Sequence, residues 1–374
     1  MNFEGRVDIA LPADKGGLVA VRYFPPVNVS PLLAGKRPEE VTPVISAIYG
    51  ICANAQAHAA ALALEAALGK RACRETMTAR ALVTATETLR ENLLRIALDW
   101  PRLLGKDPQG ASVRAAMNFV PRMRTALFGD ADPFALDAKA EPDFETAAAI
   151  IAEAEALLAE TVFGEPLDLW LKRRGHLGLL DWSVSAARPA ADLIAHLAEK
   201  GWIGTAGLGR DTAFFDAETL ARLPLMKDLA GHVPETTLYA RRAKAGPVAS
   251  LSSSGLGARF AARLAELALL PVEMRQLLDG DGVARTVSRA SQLAGVGVVD
   301  AARGLLVHSV RIEDGRVAEY RIVSPTDWNF DANGVAARCL ASLDGYGDAE
   351  EKVMLAHLVV NAIDPCVAYA VRVH

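Results

Sequence analysis

The residues with the most distinctive chemistry in this 374-residue chain are its four cysteines, Cys52, Cys73, Cys339 and Cys366. They are few and widely spread, which is typical of a protein from a reducing compartment and excludes a disulfide framework. A cysteine within an alanine-rich helix is usually a small buried apolar residue. That interpretation is the preferred one for Cys73 and Cys339.

The surroundings of Cys52 and Cys366 favour another interpretation. Cys52 lies in YGICANAQAH, just after Gly50 and at the predicted start of a helix, where the positive end of the helix dipole would favour a thiolate. Cys366 follows Asp-Pro in DPCVAY, where proline ends the preceding helix and holds the thiol on a rigid turn. Each is a candidate metal ligand, and the spacing alone leaves open whether the two thiols meet.

The elements that position these residues are predicted to be mainly helices. Alternating apolar and polar residues around a Lys-Gly-Gly turn predict a β-hairpin over 6–23, and Asp314-Gly315 predicts a second hairpin within 305–325. Apolar residues at helical spacing predict helices at about 50–69, 73–100, 109–128, 142–160, 255–279, 333–343 and 348–362, the second stopped by Pro101. No linker divides the chain, so a single domain over 1–374 is expected.

Composition excludes several classes of protein. The net charge of −5 and the absence of a basic stripe argue against binding to nucleic acid. No run of eighteen strongly apolar residues is free of charge, so a membrane span is not expected. The N-terminal sequence lacks the basic start and apolar block of a signal peptide, which predicts a cytoplasmic protein.

Two glycine clusters resemble nucleotide-binding loops only superficially. GTAGLGR (204–210) and SSSGLGARF (252–260) do not follow a clear strand of a βαβ unit, and no Gly-Lys-Ser/Thr is present. Both are interpreted as turns. The chain also lacks a Gly-x-Ser-x-Gly elbow and a His-Glu-x-x-His motif, so neither a serine hydrolase nor a zinc protease is indicated.

The cysteine motifs resemble those of the nickel-iron hydrogenase large subunit. YGIC is similar to the family's Arg-x-Cys-Gly-x-Cys signature, and DPCVAY is similar to its closing Asp-Pro-Cys-x-x-Cys. FEGRVDI, LRIALDWPRLLG and the stretch from GVGVVDAARG to TDWNF resemble further family segments in the same order. The resemblance implies an α+β, mainly α fold, with a central long-helix bundle and small peripheral antiparallel sheets.

Departures from the family pattern bear on the metal. In the family four cysteines hold nickel and iron, but Tyr49 and Tyr369 stand here where two of them would be. Tyrosine offers a hard oxygen of high pKa in place of a soft thiolate, so nickel is not expected. The resemblance leaves Cys52 and Cys366 as the metal ligands, with Tyr49 and Tyr369 as candidate residues of the cofactor-binding site. A family histidine is replaced by Gln56, with His58 two residues further on, which leaves their roles open.

Other residues match the family's metal pocket. By resemblance Glu4, Asp99, Arg303 and Asp364 surround the metal, with Arg303 donating hydrogen bonds to iron-bound cyanide. An alternative is that Glu4 and Asp99 form ordinary salt bridges with Arg6 or Arg102. His308, within a predicted strand pair, is expected to be a packed core histidine.

The chain end and the missing cysteines resemble one branch of the family, the HupK or HoxV type of hydrogenase maturation protein. No tail follows His374, so the family's proteolytic maturation step is not expected. The resemblance implies a non-catalytic scaffold that holds or assembles an Fe(CN)2(CO) fragment. Its expected partners are an iron-delivering maturation chaperone and the apo large subunit. The alternatives are a metal-free chaperone and a residual hydrogenase or hydrogen sensor.

Overall fold

The computed structural model describes residues 5–14, 16–208, 233–251, 254–282, 284–290 and 294–374. Glu4, predicted to lie near the metal, is outside the described residues, as are parts of both glycine clusters. Of the first cluster, Gly204 lies in a turn as predicted, whereas Gly255 of the second caps the start of a long helix. No helix in the described part of the chain is long and apolar enough to cross a membrane.

Helices make up most of the described chain. The longer ones are α1 Val41–Ile48, α2 Ala53–Ala67, α3 Arg74–Leu94, α4 Gly110–Met117, α5 Phe119–Phe128, α6 Phe144–Leu158, α7 Gly175–Ser185, α8 Pro189–Glu199, α9 Leu256–Leu278, α10 Val335–Ala341 and α11 Ala349–Ile363. Short helical segments lie at Ser30–Leu33, Pro38–Glu40, Trp100–Leu103, Leu167–Lys172, Leu238–Arg242, Gly246–Ala249 and Pro325–Asn329. The helices predicted from periodicity are therefore confirmed, although the region 109–128 contains two of them.

The strands form two sheets. They are β1 Arg6–Leu11, β2 Ala20–Phe24, β3 Thr286–Ala290, β4 Gly295–Ala301, β5 Gly304–Glu313, β6 Arg316–Val323 and β7 Ala368–Val373, in the orders β2-β1-β7 and β3-β4-β5-β6. Both predicted hairpins are confirmed, and Asp314 and Gly315 adopt φ values of 50° and 71°, as the tight turn requires. The closing segment differs from prediction because, beyond a bend at Cys366, it is a strand that runs parallel to β1.

The long helix α9 packs on both α3 and α6. The part of α9 from residue 256 to 268 is buried on all sides, so apolar residues surround it, and its charged Arg259, Arg263 and Glu266 are buried with ion-pair partners. Its Pro271 lies inside the helix without ending it. Trp100 and Phe260 meet edge to face in this core, with ring centroids 5.1 Å apart.

Helix α2 lies directly against strand β4 because the residues that face each other there have small side chains or none. Its alanines, among them Ala59 and Ala63, face glycines of the strand. A Cβ atom added to Gly297 would lie 2.1 Å from the carbonyl oxygen of Ala59, and one added to Gly295 would lie 2.2 Å from that of Ala63. This close approach fixes the start of α2, and therefore Cys52, relative to the four-stranded sheet.

The predicted stop at Pro101 is wrong. Helix α3 passes through a π-helical turn at Arg95–Asp99 into a further helical turn at Trp100–Leu103. Pro101 lies in the first turn of that last segment, where its missing N–H costs nothing. The wide turn displaces Arg95 and Asp99 from regular helical positions, and both residues are part of the charged network described below.

Candidate metal centre

Cys52 and Cys366, from opposite ends of the chain, line a single cleft of about 830 Å³. The cleft lies between the α1–α2 junction, the end of β6 and the bend before β7. Its lining includes Gly5, Tyr23, Pro25, Pro26, Asn28, Tyr49, Cys52, Gln56, Ser324, Asp327, Cys366 and Ala368. The structure thus brings the two predicted metal ligands to one place.

Cys52 is the residue that caps the N-terminus of α2, but its environment does not favour a thiolate. Burial is the main cause that raises the pKa of its thiol, and the charges of Cys366 and Glu87 raise that pKa further. The Glu87 carboxylate already accepts the backbone N–H groups of Asn54 and Ala55, each at 2.9 Å. The prediction that the helix dipole activates Cys52 is wrong, because Glu87 occupies the positive end of that dipole.

Cys366 is held by Thr326, a residue with no predicted role. The backbone N–H of Cys366 donates to the Thr326 hydroxyl oxygen at 3.2 Å, and the same hydroxyl group lies 3.0 Å from the Cys366 Sγ, to which it donates when the thiol is ionised. Burial raises the pKa of the Cys366 thiol, while the Thr326 hydrogen bond and the charge of Arg303 oppose that increase. Nothing in the sequence links positions 326 and 366.

Arg303 lies behind the two thiols, at the turn between β4 and β5. It is 6% exposed and is not among the residues that line the cleft. Its guanidinium group is 3.3 Å from the carboxylates of Glu91 and Asp364, and its charge lowers the pKa of both thiols. Arg303 therefore provides positive charge beside the pair of cysteines, and its hydrogen bonds to iron-bound cyanide stay a prediction.

Asp364 ends α11 in the left-handed conformation, with φ 67°, and joins three arginines. Arg263 donates to it at 2.9 Å, the Nε atom of Arg95 lies 2.8 Å away, and Arg303 is the third. Burial would raise the pKa of Asp364, but these arginines outweigh it and hold the pKa below its usual range. Asp364 does not line the cleft. Its direct contact is with Arg303, which it holds in place.

Asp99 and Tyr369 lie beside this network, outside the cleft lining. Asp99 accepts a hydrogen bond from Arg95 at 2.7 Å, and Arg102 lies 3.7 Å away. These contacts are salt bridges, as in the alternative interpretation of Asp99. The Tyr369 hydroxyl lies 3.2 Å from His357 Nδ1 on α11. Successive side chains of a strand point to opposite faces, and Tyr369 packs on the core while Ala368 faces the cleft. Tyr369 is thus not brought together with the cysteines.

Tyr49 does lie with the two cysteines. Burial raises the pKa of its hydroxyl, and the charges of Asp327, Cys52 and Cys366 add to that increase. The hydroxyl group therefore stays protonated near neutral pH and does not supply an anionic ligand. Asp327, which the sequence did not single out, also lines the cleft, and burial raises the pKa of its carboxyl group.

The two histidines of this region are structural in their contacts. His58 is buried, bonded to Thr84 at 2.9 Å and tilted against Phe134. His308 is fully buried in β5, which confirms the prediction of a packed core histidine. Burial lowers the pKa of each to about 3. Both are therefore neutral at physiological pH.

The cleft contains few side chains that could bind a metal ion. No group of three or more His, Cys, Asp and Glu side chains in the described ranges is arranged to hold a metal ion. The cleft offers two soft thiols, protonated in the free protein, with a guanidinium charge behind them. Such a pair is suited to a metal fragment that brings its other ligands with it, and binding releases the thiol protons.

The fold is that of the nickel-iron hydrogenase large subunit, and the predicted fold class is confirmed. The structure matches the nickel-iron-selenium hydrogenase of D. vulgaris Hildenborough with a TM-score of 0.62 at 15% identity, over 95% of this chain and 94% of that one. It matches that of Dm. baculatum with a TM-score of 0.63 at 17% identity, over 94% of each chain. The family model for nickel-dependent hydrogenase matches residues 258–374.

The chain is also similar in sequence, over nearly its full length, to proteins named for hydrogenase expression and formation. The chain is 29% identical to the hydrogenase expression/formation protein HupK of Bradyrhizobium diazoefficiens, over 99% of this chain and 97% of the relative. It is 29% identical to the hydrogenase expression/formation protein HoxV of Cupriavidus necator, over 91% and 89% of the two chains. The predicted resemblance to HupK and HoxV, within the wider group of hydrogenase large subunits, is confirmed.

Proposed function

We propose that this protein is a non-catalytic scaffold in the maturation of nickel-iron hydrogenase. In this proposal Cys52 and Cys366 hold an Fe(CN)2(CO) fragment as cargo before its transfer to the apo large subunit. The observation that carries the proposal is that these two thiols line one cleft, in a fold whose other two cysteine positions are Tyr49 and Tyr369. Relatives named hydrogenase expression/formation proteins support a role in maturation.

The chemistry of the donor set is consistent with a transient cargo. Low-spin iron that carries three strong diatomic ligands needs few protein ligands, and two thiolates supply soft donors. Both thiols lie in environments that favour the protonated form, so protons compete with the metal for the sulfur atoms. Weak retention is useful in a donor. Nickel, which would need four thiolates in such a site, is not expected to bind.

The partners in the proposal follow from this role. A small chaperone that carries iron from the general maturation complex would load the cleft, and the nickel-free large subunit would receive the fragment. Mixing loaded protein with that subunit, followed by separation, should move the cyanide and carbonyl infrared bands from one protein to the other. Bands that stay with the present protein would contradict a donor role.

Infrared spectroscopy of anaerobically purified protein, from a host that expresses the maturation proteins, tests the binding itself. Cyanide and carbonyl bands are expected in the wild type and absent in both Cys52→Ala and Cys366→Ala. Cys73→Ala is the control, because Cys73, which was wrongly predicted to be buried, is exposed and is not among the residues that line the cleft. If one cleft variant keeps the bands, the two-thiolate model is wrong.

The same samples distinguish the alternatives. A folded wild-type protein without the bands would favour a metal-free chaperone. Nickel by metal analysis, together with hydrogen-dependent reduction of a dye, would favour a residual hydrogenase or hydrogen sensor. Each of these results would overturn the scaffold proposal.

A further inference from the structure

Gln56 is a polar side chain of the cleft whose role the sequence leaves open. It lies on α2 one helical turn beyond Cys52, since its backbone N–H donates to the Cys52 carbonyl oxygen at 3.0 Å. Its side chain is 2% exposed and lines the same cleft as both thiols. Arg303, by contrast, does not line that cleft.

A hydrogen-bonded chain fixes the orientation of the Gln56 amide. His308 Nδ1 lies 2.7 Å from the Tyr320 hydroxyl, and His308 Nε2 lies 2.8 Å from Gln56 Oε1. His308 is neutral, so one of its nitrogen atoms donates and the other accepts. Which group donates in each of these hydrogen bonds is therefore set by Tyr320, the innermost of the three residues.

Tyr320 must donate its proton to His308. It is 1% exposed, burial raises its pKa well above the usual value, and its hydroxyl has no other acceptor among the described residues. If it accepted from His308 instead, its own O–H would be buried without a partner, at a cost of about 1–3 kcal/mol. His308 Nε2 therefore carries the proton and donates to Gln56 Oε1.

This arrangement leaves the Gln56 NH2 group as a donor for something else. Within the part of the chain that the structure describes, the only hydrogen bond of the Gln56 side chain is the one to His308. The NH2 group is also not among the enclosed polar atoms that lack a partner, so it reaches the open space of the cleft. A buried chain of three side chains thus ends in a hydrogen-bond donor beside Cys52.

We infer that Gln56 donates a hydrogen bond to the nitrogen of an iron-bound cyanide held between Cys52 and Cys366. This inference rests on the proposed function. A cyanide nitrogen carries a lone pair and negative charge, whereas a metal-bound carbonyl oxygen is a poor acceptor. Gln56 is a neutral donor inside the cleft, whereas Arg303 lies outside the cleft lining and contributes positive charge. Gln56 is thus a recognition residue for the cargo, and His308 and Tyr320 are positioning residues.

The test compares infrared spectra of iron-loaded wild type, Gln56→Leu and Gln56→Glu. The glutamate variant, measured at alkaline pH, keeps an acceptor for His308 and lacks the NH2 donor. In both variants a cyanide band is expected to shift, with a smaller change in the carbonyl band. In wild type, transfer to D2O should shift that same cyanide band, and this isotope effect should be lost in Gln56→Leu. Gln276→Leu, on α9 and away from the cleft, is the matched control.

Positioning is tested with Tyr320→Phe. Without the Tyr320 proton the His308 tautomer is no longer fixed, so the cyanide band is expected to broaden or shift although Gln56 is intact. Circular dichroism establishes that each variant is folded. Cyanide bands that stay in place in both Gln56 variants, or an isotope effect that persists in Gln56→Leu, would overturn the inference while leaving the scaffold proposal intact. A folded wild type without any bands would instead overturn the proposed function.

Discussion

At the scale of single residues, the thiols of Cys52 and Cys366 lie in different hydrogen-bonding environments. Cys52 lies at a helix start whose backbone N–H groups already donate to Glu87, and burial raises the pKa of its thiol, so this thiol is expected to ionise only when a metal binds. Cys366 has the Thr326 hydroxyl group 3.0 Å from its sulfur, where it can donate a hydrogen bond to the thiolate. The two cysteines are therefore not equivalent, and a change at Thr326 should affect Cys366 alone.

Replacement of Thr326 tests that difference. Thr326→Val removes the donor to the Cys366 sulfur, which should raise the pKa of that thiol further. One hydrogen bond of about 1 kcal/mol corresponds to a decrease of up to about fivefold in thiolate at a fixed pH below the pKa. The alkylation rate of Cys366, followed by mass spectrometry of its peptide, should fall accordingly.

Thr326→Ser retains the hydroxyl group and should keep the wild-type rate. The exposed Cys73 in the same sample serves as an internal standard. An unchanged Cys366 rate in Thr326→Val would mean that the 3.0 Å contact does not stabilise the thiolate.

At the scale of elements, one carboxylate joins four parts of the fold. Asp364, at the end of α11, contacts Arg95 in the π-helical turn, Arg263 on α9 and Arg303 between β4 and β5. The network is buried, so removal of its shared carboxylate leaves Arg263 without a carboxylate among the described residues, whereas Arg95 keeps Asp99 and Arg303 keeps Glu91. The position of Arg303 beside the thiols depends on that carboxylate.

Asp364→Asn is therefore expected to lower the free energy of unfolding by about 3–5 kcal/mol at neutral pH. The pKa of Asp364 is lowered in the folded protein, so its contribution is present above the unfolded pKa of roughly 3.9 and is lost as pH falls through the lower folded value. The difference between wild type and variant should accordingly shrink below about pH 4. Urea unfolding followed by tryptophan fluorescence at several pH values measures this.

Asp168→Asn is the control for that measurement, because Asp168 forms an exposed pair with Lys172 four residues along one helix. Little change in stability is expected there. Equal effects of the two substitutions would show that the buried network has no special importance.

The contact of α2 with β4 is a second feature at the element scale. Gly297 leaves no room for a side chain against Ala59, so Gly297→Ala must push the helix and the sheet apart. A loss of about 1–3 kcal/mol in the free energy of unfolding is expected, measured by thermal or urea denaturation. Gly345→Ala, at a position with open space around it, should be close to neutral. A neutral Gly297→Ala would contradict the close packing.

At the scale of the whole molecule, the cleft exists only because the two ends of the chain meet. Strand β7 pairs with β1, and this places the bend at Cys366 opposite the start of α2. A reagent that becomes fluorescent only when it joins two nearby thiols should therefore link Cys52 to Cys366 in the native protein and not in urea. A Cys73→Ser, Cys339→Ala background removes the other thiols.

The control for that experiment is the same background with Cys366→Ala, in which no fluorescence should develop. A native wild-type pair that reacts no better than the unfolded chain would show that the thiols do not face each other. The scaffold proposal would then lose the observation that carries it.

The sequence by itself determined the helices, both hairpins and the resemblance to hydrogenase large subunits, because periodicity, turn chemistry and short motifs are local signals. It also singled out Cys52 and Cys366. Only the tertiary structure decided that these two thiols line one cleft, that Tyr369 faces His357, and that Glu87 occupies the end of the α2 dipole. Each of these depends on contacts between residues far apart in the chain, and local patterns carry no record of such contacts. The contacts of Thr326 with Cys366 and of Gln56 with His308 became visible for the same reason.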